Sequence, residues 1–284
     1  MPRLAVLGQP ISHSRSPAMH NAALAALGLA GEWSYEAIDV APDHFAARIR
    51  ALPRKGFVGA NVTVPHKLAA LALADAASDA ATAIGAANTL SFAGGRVVAD
   101  NTDARGFIAT LHEPPARQRA LVLGAGGAAR AVVWALVTAG ARVAIWNRTF
   151  SRAEELAREL GATLARVNRP LELIPVAEYE LIVNATTVGM GASGDDPAGL
   201  ERLPLDADAL SDKHQVVDLA YGTVDTELVR TARARGAHVV DGLEVLVRQG
   251  AVSLQIWTGL DPPVEAMRQA VQADTPPPPN DPHT

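Results

Sequence analysis

The stretch 120-ALVLGAGGAAR-130 decides the fold that we expect for this chain. Residues 120–123 form a short apolar run typical of a buried strand, and the Ala- and Val-rich residues that follow Gly126 predict a helix. Glycines between a strand and a helix permit a tight turn and let the backbone approach a phosphate group at the positive end of the helix. A plain strand-to-helix turn is the alternative. We expect a dinucleotide-binding turn formed by Gly124, Ala125, Gly126, Gly127 and Ala128.

The next predicted strand, Arg142–Trp146, runs into Asn147, Arg148 and Thr149, and Arg152 follows. An NAD-binding fold usually has an acid at this strand end, which binds the ribose 2′-hydroxyl. Here there is none, and a guanidinium offers planar donors suited to a 2′-phosphate. The arginines therefore predict NADP as the cofactor, the alternative being two solvated arginines at a helix start.

Aliphatic runs alternate with helical runs along the chain, which predicts an α/β architecture with mostly parallel strands. Strands are expected at 4–7, 34–40, 57–62, 87–92, 96–99, 120–123, 142–146, 181–184, 216–219 and 238–240. Helices are expected at 17–27, 42–52, 65–73, 127–139, 151–160, 243–257 and 264–271. Gly94-Gly95 predicts a hairpin turn, and Ser151 with Glu154 predicts a capping box at a helix start.

Composition excludes several classes of protein. The 284 residues carry a net charge of −5 without a basic stripe, which argues against a nucleic-acid surface. There is no cysteine, so disulfides and thiolate sites are excluded, and a reducing, cytoplasmic location is expected. No run is apolar enough for a membrane span, and the histidines lack ligand spacing, so we expect no membrane association and no metal.

Three polar segments in the N-terminal half are candidates for binding and chemistry. Ser14 and Ser16 stand before a helix start, where an anion can bind. Asn61 and Thr63 end a strand and precede Lys67, and two further strand ends carry Asn88 and Asp103. A lone lysine or a serine-rich helix start is usually just a solvated group or a cap. Asp103 is a candidate to orient Lys67 and share its proton.

Taken together, these motifs resemble the shikimate dehydrogenase family over residues 3 to about 270. The similarity is carried by motifs in the family's order and spacing: Ser14-Arg15-Ser16-Pro17, Asn61-Val62-Thr63-Val64-Pro65-His66-Lys67, Ala87-Asn88-Thr89, Asn101-Thr102-Asp103, the glycine turn, Asn147-Arg148-Thr149, Asn184-Ala185-Thr186 and Asp241-Gly242.

The resemblance implies reversible, NADPH-dependent reduction of 3-dehydroshikimate to shikimate, with Lys67 and Asp103 as the proton-transfer pair. It implies these substrate contacts: Ser14 and Ser16 for the carboxylate, Asn61, Thr63, Asn88 and Asp103 for ring hydroxyls, and Tyr221 and Gln249 nearby. The cofactor residues, part motif and part resemblance, are Gly124, Ala125, Gly126, Gly127, Ala128, Asn147, Arg148, Thr149, Arg152, Ala185, Thr186, Leu219 and Gly242.

Two α/β domains with a cleft between them are expected. Residues 1–105 would form the substrate domain, joined by the helices of 242–273, and residues 106–241 a Rossmann-type NADP domain. Residues 274–284 are Pro-rich and expected to be a disordered tail. The partner is a small-molecule substrate, and the chain is expected to be a monomer or a homodimer.

Two other functions stay open, and the sequence departs from the family pattern at two positions. A quinate/shikimate dehydrogenase of broader substrate use, and a dinucleotide-binding regulatory protein without catalysis, are the other interpretations. The family commonly has Thr-Pro where this chain has Thr226-Glu227, so that loop is expected to differ. Gly250 stands where Ala is usual and is expected to loosen its helix.

Overall fold

The computed structural model describes residues 1–165, 173–190 and 199–273. Its strands are β1 (Arg3–Gly8), β2 (Ser34–Asp39), β3 (Phe57–Val62), β4 (Ala76–Ala77), β5 (Thr89–Ala93), β6 (Arg96–Asp100), β7 (Arg119–Leu123), β8 (Arg142–Trp146), β9 (Thr163–Leu164), β10 (Leu181–Asn184), β11 (Gln215–Asp218) and β12 (His238–Val240). Its α-helices are α1 (Ser16–Ala26), α2 (Phe45–Ala51), α3 (Lys67–Leu73), α4 (Asp79–Ile84), α5 (Asp103–Ile108), α6 (Gly127–Thr138), α7 (Phe150–Leu160), α8 (Glu227–Ala234), α9 (Gly242–Thr258) and α10 (Val264–Ala273). The predicted α/β class is confirmed.

The second sheet positions the glycine turn. Its strand order is β12-β11-β10-β7-β8-β9, and every pairing is parallel. The order reverses at β7, which lies between β8 and β10. In an open parallel sheet a ligand binds beyond the carboxyl ends of the strands at such a switch point. Gly124 follows β7 and Ala185 follows β10, so both lie at that crevice.

The first sheet has the order β2-β1-β3-β5-β6-β4 and is mixed. β1 pairs in parallel with β2 and β3, but β5 is antiparallel to both β3 and β6. The expectation of mostly parallel strands holds, since β4 also pairs in parallel with β6, and the antiparallel pairs come from the predicted hairpin of β5 and β6. Gly94 and Gly95 at its turn have φ of 58° and 77°, as a tight hairpin turn requires.

The last two helices pack against the first part of the chain. α9 and α10 share a buried apolar cluster with β1 and α1, in which Leu254 and Met267 join Leu4 and Met19. A Cβ on Gly250 would lie 2.3 Å from the Met19 Cε atom, so the missing side chain allows α9 to approach α1. The expectation that Gly250 loosens its helix is wrong, since α9 is continuous and Gly250 is buried.

Several boundaries differ from the sequence prediction. The Ser151 capping box is wrong, because α7 begins at Phe150 and its N-cap residue is Thr149, without a side-chain cap. The helix predicted at 42–52 begins as a short 3₁₀ turn and becomes α-helical only at Phe45. The predicted tail, 274–284, lies outside the described residues.

Candidate active site

Lys67 and Asp103 form an ion pair at the edge of the first sheet. Each is the first residue of a helix, α3 and α5 respectively. The Lys67 Nζ atom donates a hydrogen bond to Asp103 Oδ2 at 2.7 Å, and the two side chains are only 12% and 16% exposed. An ammonium group held by a carboxylate with little water around it can give a proton to, or take one from, an oxygen placed beside it.

Asn88 connects this pair to α9. Its Nδ2 group lies 2.8 Å from Asp103 Oδ1, 2.9 Å from Thr102 Oγ1 and 3.1 Å from Gln249 Oε1. Gln249 is close because α5 and α9 touch at Gly106, where a Cβ would lie 2.6 Å from the Gln249 backbone nitrogen. The structure therefore brings Lys67, Asp103, Asn88 and Gln249 together.

Asn61 extends the cluster along the strand ends. Its Oδ1 atom accepts a hydrogen bond from the Tyr35 hydroxyl at 2.8 Å. Its Nδ2 group donates to Ser253 Oγ at 2.9 Å and to Thr89 Oγ1 and the Asn88 carbonyl oxygen, both at 3.2 Å. Because all these polar groups are buried and hydrogen-bonded, the network fixes its side chains in one arrangement.

Two tyrosines border the serine-rich segment. Burial raises the pKa of the Tyr35 hydroxyl well above 10.0, and a hydrogen bond with Ser16 opposes that rise. Burial also raises the pKa of Tyr221, against the opposing effects of Ser14 and Arg15. Tyr221 follows a strand of the second sheet, whereas Ser14 follows β1. The predicted carboxylate site therefore contains residues from both halves of the chain.

Thr63 lies beside the same segment. Its backbone N–H donates to the Leu7 carbonyl oxygen at 2.8 Å. A Cβ on Gly8 would lie 2.4 Å from the Thr63 methyl group, so the chain leaving β1 passes directly over Thr63. The predicted role of its hydroxyl group stays a prediction.

The glycine turn meets the Lys67 side chain. A Cβ on Gly127 would lie 2.8 Å from Lys67 Cβ, and one on Gly124 would lie 2.8 Å from the Ala185 carbonyl oxygen. A Cβ on Gly126 would meet no atom within 4 Å. Gly124 and Gly127 are thus required by close packing within the protein, whereas Gly126 borders open space at the start of α6.

Arg148 and Arg152 are both exposed, the first just before α7 and the second within its first turn. Among residues 1–165, 173–190 and 199–273, neither is paired with a carboxylate. Asn147 shapes the turn before them by donating from Nδ2 to the Thr149 carbonyl oxygen at 2.9 Å. Two guanidinium groups without partner acids fit an anionic group such as a 2′-phosphate.

The other predicted cofactor residues follow the carboxyl ends of β10, β11 and β12. The Thr186 hydroxyl donates to Asn184 Oδ1 at 2.7 Å. A Cβ on Gly242 would lie 2.8 Å from the Leu219 carbonyl oxygen, so α9 starts directly against that loop. The open space at Gly126, the start of a 12-residue helix and the unpaired arginines together fit a bound dinucleotide phosphate.

Sequence reasoning missed Tyr35, Ser253 and Asp218. Tyr35 is in a strand and Ser253 in the middle of a helix, and neither position carries a local signal, because their partners come from distant parts of the chain. Asp218 did carry one, since it is an acid at the end of the apolar strand β11. Thr226, where this chain departs from Thr-Pro, is the N-cap of α8 and accepts from the Val229 N–H group.

Known protein families match three parts of the chain. They are the shikimate dehydrogenase substrate binding domain at residues 6–90, shikimate / quinate 5-dehydrogenase at residues 109–190, and the shikimate 5′-dehydrogenase C-terminal domain at residues 242–272. The shikimate dehydrogenase (NADP(+)) of Paracoccus denitrificans is 44% identical over 280 residues, covering 96% of each chain. The chain belongs to the shikimate dehydrogenase family.

Solved structures with a similar fold were compared with the chain. The shikimate 5-dehydrogenase of Thermus thermophilus, in complex with NADP(H) and shikimate, has a TM-score of 0.83 at 44% identity, covering 96% of this chain and 99% of that one. The ligand-free 5-ketofructose reductase of a Gluconobacter species has a TM-score of 0.80 at 30% identity, covering 95% and 98%. The same fold therefore occurs in enzymes named for different substrates.

The described residues contain no candidate for a membrane span or for a metal centre. No helix there is long and apolar enough to span a membrane. Within that part of the chain, no group of three or more His, Cys, Asp or Glu side chains is arranged to hold a metal ion.

Proposed function

We propose that this protein interconverts 3-dehydroshikimate and shikimate with NADP as its cofactor. The observation that carries the proposal is the Lys67–Asp103 ion pair, 2.7 Å long, which lies directly against Gly127 of the glycine turn. A proton donor therefore adjoins the place where a dinucleotide would bind. The similarity to the NADP(H) and shikimate complex from Thermus thermophilus supports the same substrate pair.

Lys67 is the proposed proton donor and acceptor. Bound NADP would supply the hydride exchange, which is chemistry that no side chain of this protein can perform. A carbonyl oxygen that becomes a hydroxyl group needs a proton, and an ammonium group supplies both the proton and a stabilising charge. Asp103 orients Lys67 and keeps its amine aimed at the substrate through the hydrogen bond at Oδ2.

The remaining polar residues are proposed to hold the substrate. Ser14, Ser16 and Tyr221 would bind its carboxylate, and Asn61, Thr63, Asn88 and Asp103 its ring hydroxyls, with Gln249 nearby. Because Asn61 and Asn88 are already held by buried hydrogen bonds, their side chains would be fixed in place before substrate arrives. Pre-oriented donors and acceptors lose little entropy on binding.

The cofactor contacts follow the second sheet. The turn from Gly124 to Ala128 would hold the pyrophosphate at the start of α6, and Arg148 and Arg152 the 2′-phosphate, with Asn147 and Thr149 shaping that loop. Ala185, Thr186, Leu219 and Gly242 would border the nicotinamide end. A cytoplasmic location and a monomeric or homodimeric state remain predictions.

A spectrophotometric assay tests the proposal. NADP reduction at 340 nm is followed with shikimate and then with quinate, and each is repeated with NAD. We expect turnover with shikimate and NADP and a much lower kcat/KM for the other three combinations. Equal turnover of quinate would indicate the broader enzyme, and cofactor binding without turnover of either substrate would indicate a regulatory protein.

A further inference from the structure

Asp218 is a fully buried acid to which the proposed mechanism gives no task. It ends β11, and its relative exposure is 0%. Burial raises the pKa of its carboxyl group to about 6, although hydrogen bonds from Thr226, Ala220 and Asn184 oppose the rise. A neutral side chain would avoid the cost of burying a charge, so the acid must supply something that such a side chain does not.

What a carboxylate supplies here is acceptor capacity on both oxygens. Oδ1 accepts from the Asn184 Nδ2 group at 2.8 Å and from the Ala220 backbone N–H at 3.0 Å. Oδ2 accepts from the Thr226 hydroxyl at 2.6 Å. An asparagine accepts on one oxygen only, so it cannot receive all three hydrogen bonds in this arrangement.

Two of these three donors lie at the two ends of the loop of 219–226, and the third lies just before the neighbouring loop that carries Thr186. Ala220 immediately precedes Tyr221, and Thr226 caps α8 at the far end of the same loop. Asn184 ends β10, and its Oδ1 atom accepts from the Thr186 N–H and hydroxyl groups at 3.1 and 2.7 Å. Asp218 therefore fastens residues 219–226 at two points and ties them to the loop that carries Thr186.

Close packing surrounds the two ends of this loop. A Cβ on Gly189 would lie 2.8 Å from the Thr226 methyl carbon, and one on Gly242 would lie 2.7 Å from the Ala220 carbonyl oxygen. Asp218 accepts hydrogen bonds from the same two residues, Ala220 and Thr226, so it joins the packed ends of the loop of 219–226.

We propose that Asp218 is a positioning residue that holds Tyr221 against Ser14 and thereby sets the affinity for the substrate carboxylate. The proposal rests on the proposed function, since it assigns Tyr221 to that carboxylate. Asp218 itself touches no substrate. Its substitution should therefore act through Tyr221 and raise the shikimate KM more than it lowers kcat.

A double-mutant cycle tests this coupling. The assay compares Asp218→Asn, Tyr221→Phe and the double variant. The control is Asp212→Asn, which changes an exposed acid shortly before β11. We expect Asp218→Asn to raise the KM for shikimate roughly five-fold or more, and Tyr221→Phe to add little in the double variant, because coupled neighbours are not additive. Additive effects on KM, or an unchanged KM in folded Asp218→Asn, would overturn the proposal.

A substrate-free readout separates this proposal from the function itself. The chain has three tyrosines, so protein labelled with ¹³C at tyrosine Cζ gives three signals, and Tyr221→Phe identifies one. Asp218→Asn should move the Tyr221 signal and its titration toward ordinary values while leaving Tyr179 unchanged. An unmoved Tyr221 signal contradicts the proposal, whereas the absence of shikimate turnover with a moved signal contradicts only the assigned substrate.

A second pair of variants guards against a folding defect in Asp218→Asn. Thr226→Val removes both the donor to Oδ2 and the cap of α8, and Thr226→Ser restores both with the loss of one methyl group. We expect Thr226→Val to raise the KM for shikimate and Thr226→Ser to return it to within about two-fold of wild type. Equal KM values in the two variants would overturn the assignment.

Discussion

At the residue scale, the site depends on charges with few, well-defined partners. Lys67 has Asp103 and little water around it, whereas Arg148 and Arg152 are exposed and have no carboxylate partner within the described ranges. A charge held by one partner is oriented, and a charge without one can bind an anion. We therefore propose different roles for the two kinds of charge: the first would move a proton, and the second would select the cofactor.

Arg148→Ala should reduce the preference for NADPH. A charge-assisted hydrogen bond contributes about 1.5–3 kcal/mol, so the variant should lose roughly 10- to 100-fold in kcat/KM with NADPH and little with NADH. Arg158→Ala, at an exposed position in the last turn of α7, is the matched control. Parallel losses with both cofactors would show that Arg148 does not read the 2′-phosphate.

Asp103→Asn should lower kcat without a comparable change in the shikimate KM. The neutral amide cannot form the ion pair that the carboxylate makes with Lys67, so the amine is held less firmly in its orientation. Loss of a positioned proton-transfer group typically costs about 10²–10⁴-fold. Steady-state kinetics give the measurement, and a rise in KM with an unchanged kcat would limit Asp103 to binding the substrate.

Individual residues were predictable where a motif names the chemistry. Lys67 and Asp103 were paired from the sequence and do form an ion pair in the structure. The hydrogen bond from Tyr35 to Asn61 was not predictable, because Tyr35 alternates within β2 like any core residue and meets Asn61 only through sheet pairing. Local patterns report residue type and spacing, whereas such contacts depend on tertiary packing.

At the element scale, the turn between β7 and α6 carries the cofactor proposal. Its three glycines differ in what a side chain would meet: backbone at Gly124, Lys67 at Gly127 and open space at Gly126. Within this one turn, glycines needed for packing, at 124 and 127, can therefore be compared with one proposed to make room for a ligand, Gly126.

Gly126→Ala and Gly127→Ala should have separable effects. Gly126 has φ of −90°, which alanine adopts without strain, so its alanine variant should keep its stability but raise the KM for NADP by placing a methyl group at the phosphate. Gly127→Ala should displace Lys67 and lower kcat. Thermal unfolding and steady-state kinetics measure both, and an unchanged NADP KM in Gly126→Ala would place the phosphate elsewhere.

Helix α1 carries a buried histidine that makes stability depend on pH. His20 stacks on Tyr35 with ring centroids 4.2 Å apart, and burial lowers its pKa to about 3 from 6.5. The unfolded chain binds a proton on this group below pH 6.5 and the folded chain does not. The stability from neutral His20 is therefore present above pH 6.5 and lost as pH falls toward 3.

His20→Phe should remove that dependence while keeping an aromatic stack. The free energy of unfolding of the wild type should fall relative to the variant between pH 6.5 and about 3. Urea denaturation at several pH values measures the difference, with the exposed His44→Phe as control. A difference independent of pH would mean that His20 is protonated in the folded protein.

Elements were predicted well where apolar runs are long, and poorly where short helices begin. The central strands β7, β8 and β10 agree with their predicted ranges within one residue. The Ser151 cap was wrong because the strand end bends at Asn147, whose side chain bonds to the Thr149 carbonyl oxygen, so the helix starts earlier. Helices α4, α5 and α8, of 6–8 residues, were not predicted.

Across the whole molecule, Arg130 connects helix α4 of the N-terminal half with helices α6 and α7 beside the second sheet. It lies in α6, and its Nε atom donates to the Ile84 carbonyl oxygen at the end of α4, at 2.6 Å. Its Nη2 atom pairs with Glu159 of α7 at 2.5 Å. Gly85, with φ of 74°, leaves room for the guanidinium, since a Cβ there would lie 2.4 Å from Nη2.

Arg130→Gln should weaken the contact between the N-terminal half and the second sheet. The carbonyl of Ile84 loses a charged donor, which typically costs about 1–3 kcal/mol of unfolding free energy. Glu159→Gln, which removes only the more exposed partner, should cost less than about 1 kcal/mol. Urea denaturation gives both values, and equal costs would show that the Ile84 contact contributes nothing.

The arrangement of the whole molecule was predictable in outline. Two α/β units and late helices returning to the first were expected, and α9 does place Gln249 beside Asn88. The mixed pairing of the first sheet was not anticipated as such, although the hairpin that causes it was. Sheet order depends on long-range pairing, which single-sequence patterns do not encode.

The kcat of Lys67→Ala shows whether Lys67 moves the proton. NADP reduction with saturating shikimate is compared in the wild type, Lys67→Ala and the exposed control Lys55→Ala. We expect kcat to fall by roughly 10²–10⁴-fold in Lys67→Ala only, in a variant that still folds and binds NADP. Undiminished turnover by Lys67→Ala would show that another group moves the proton.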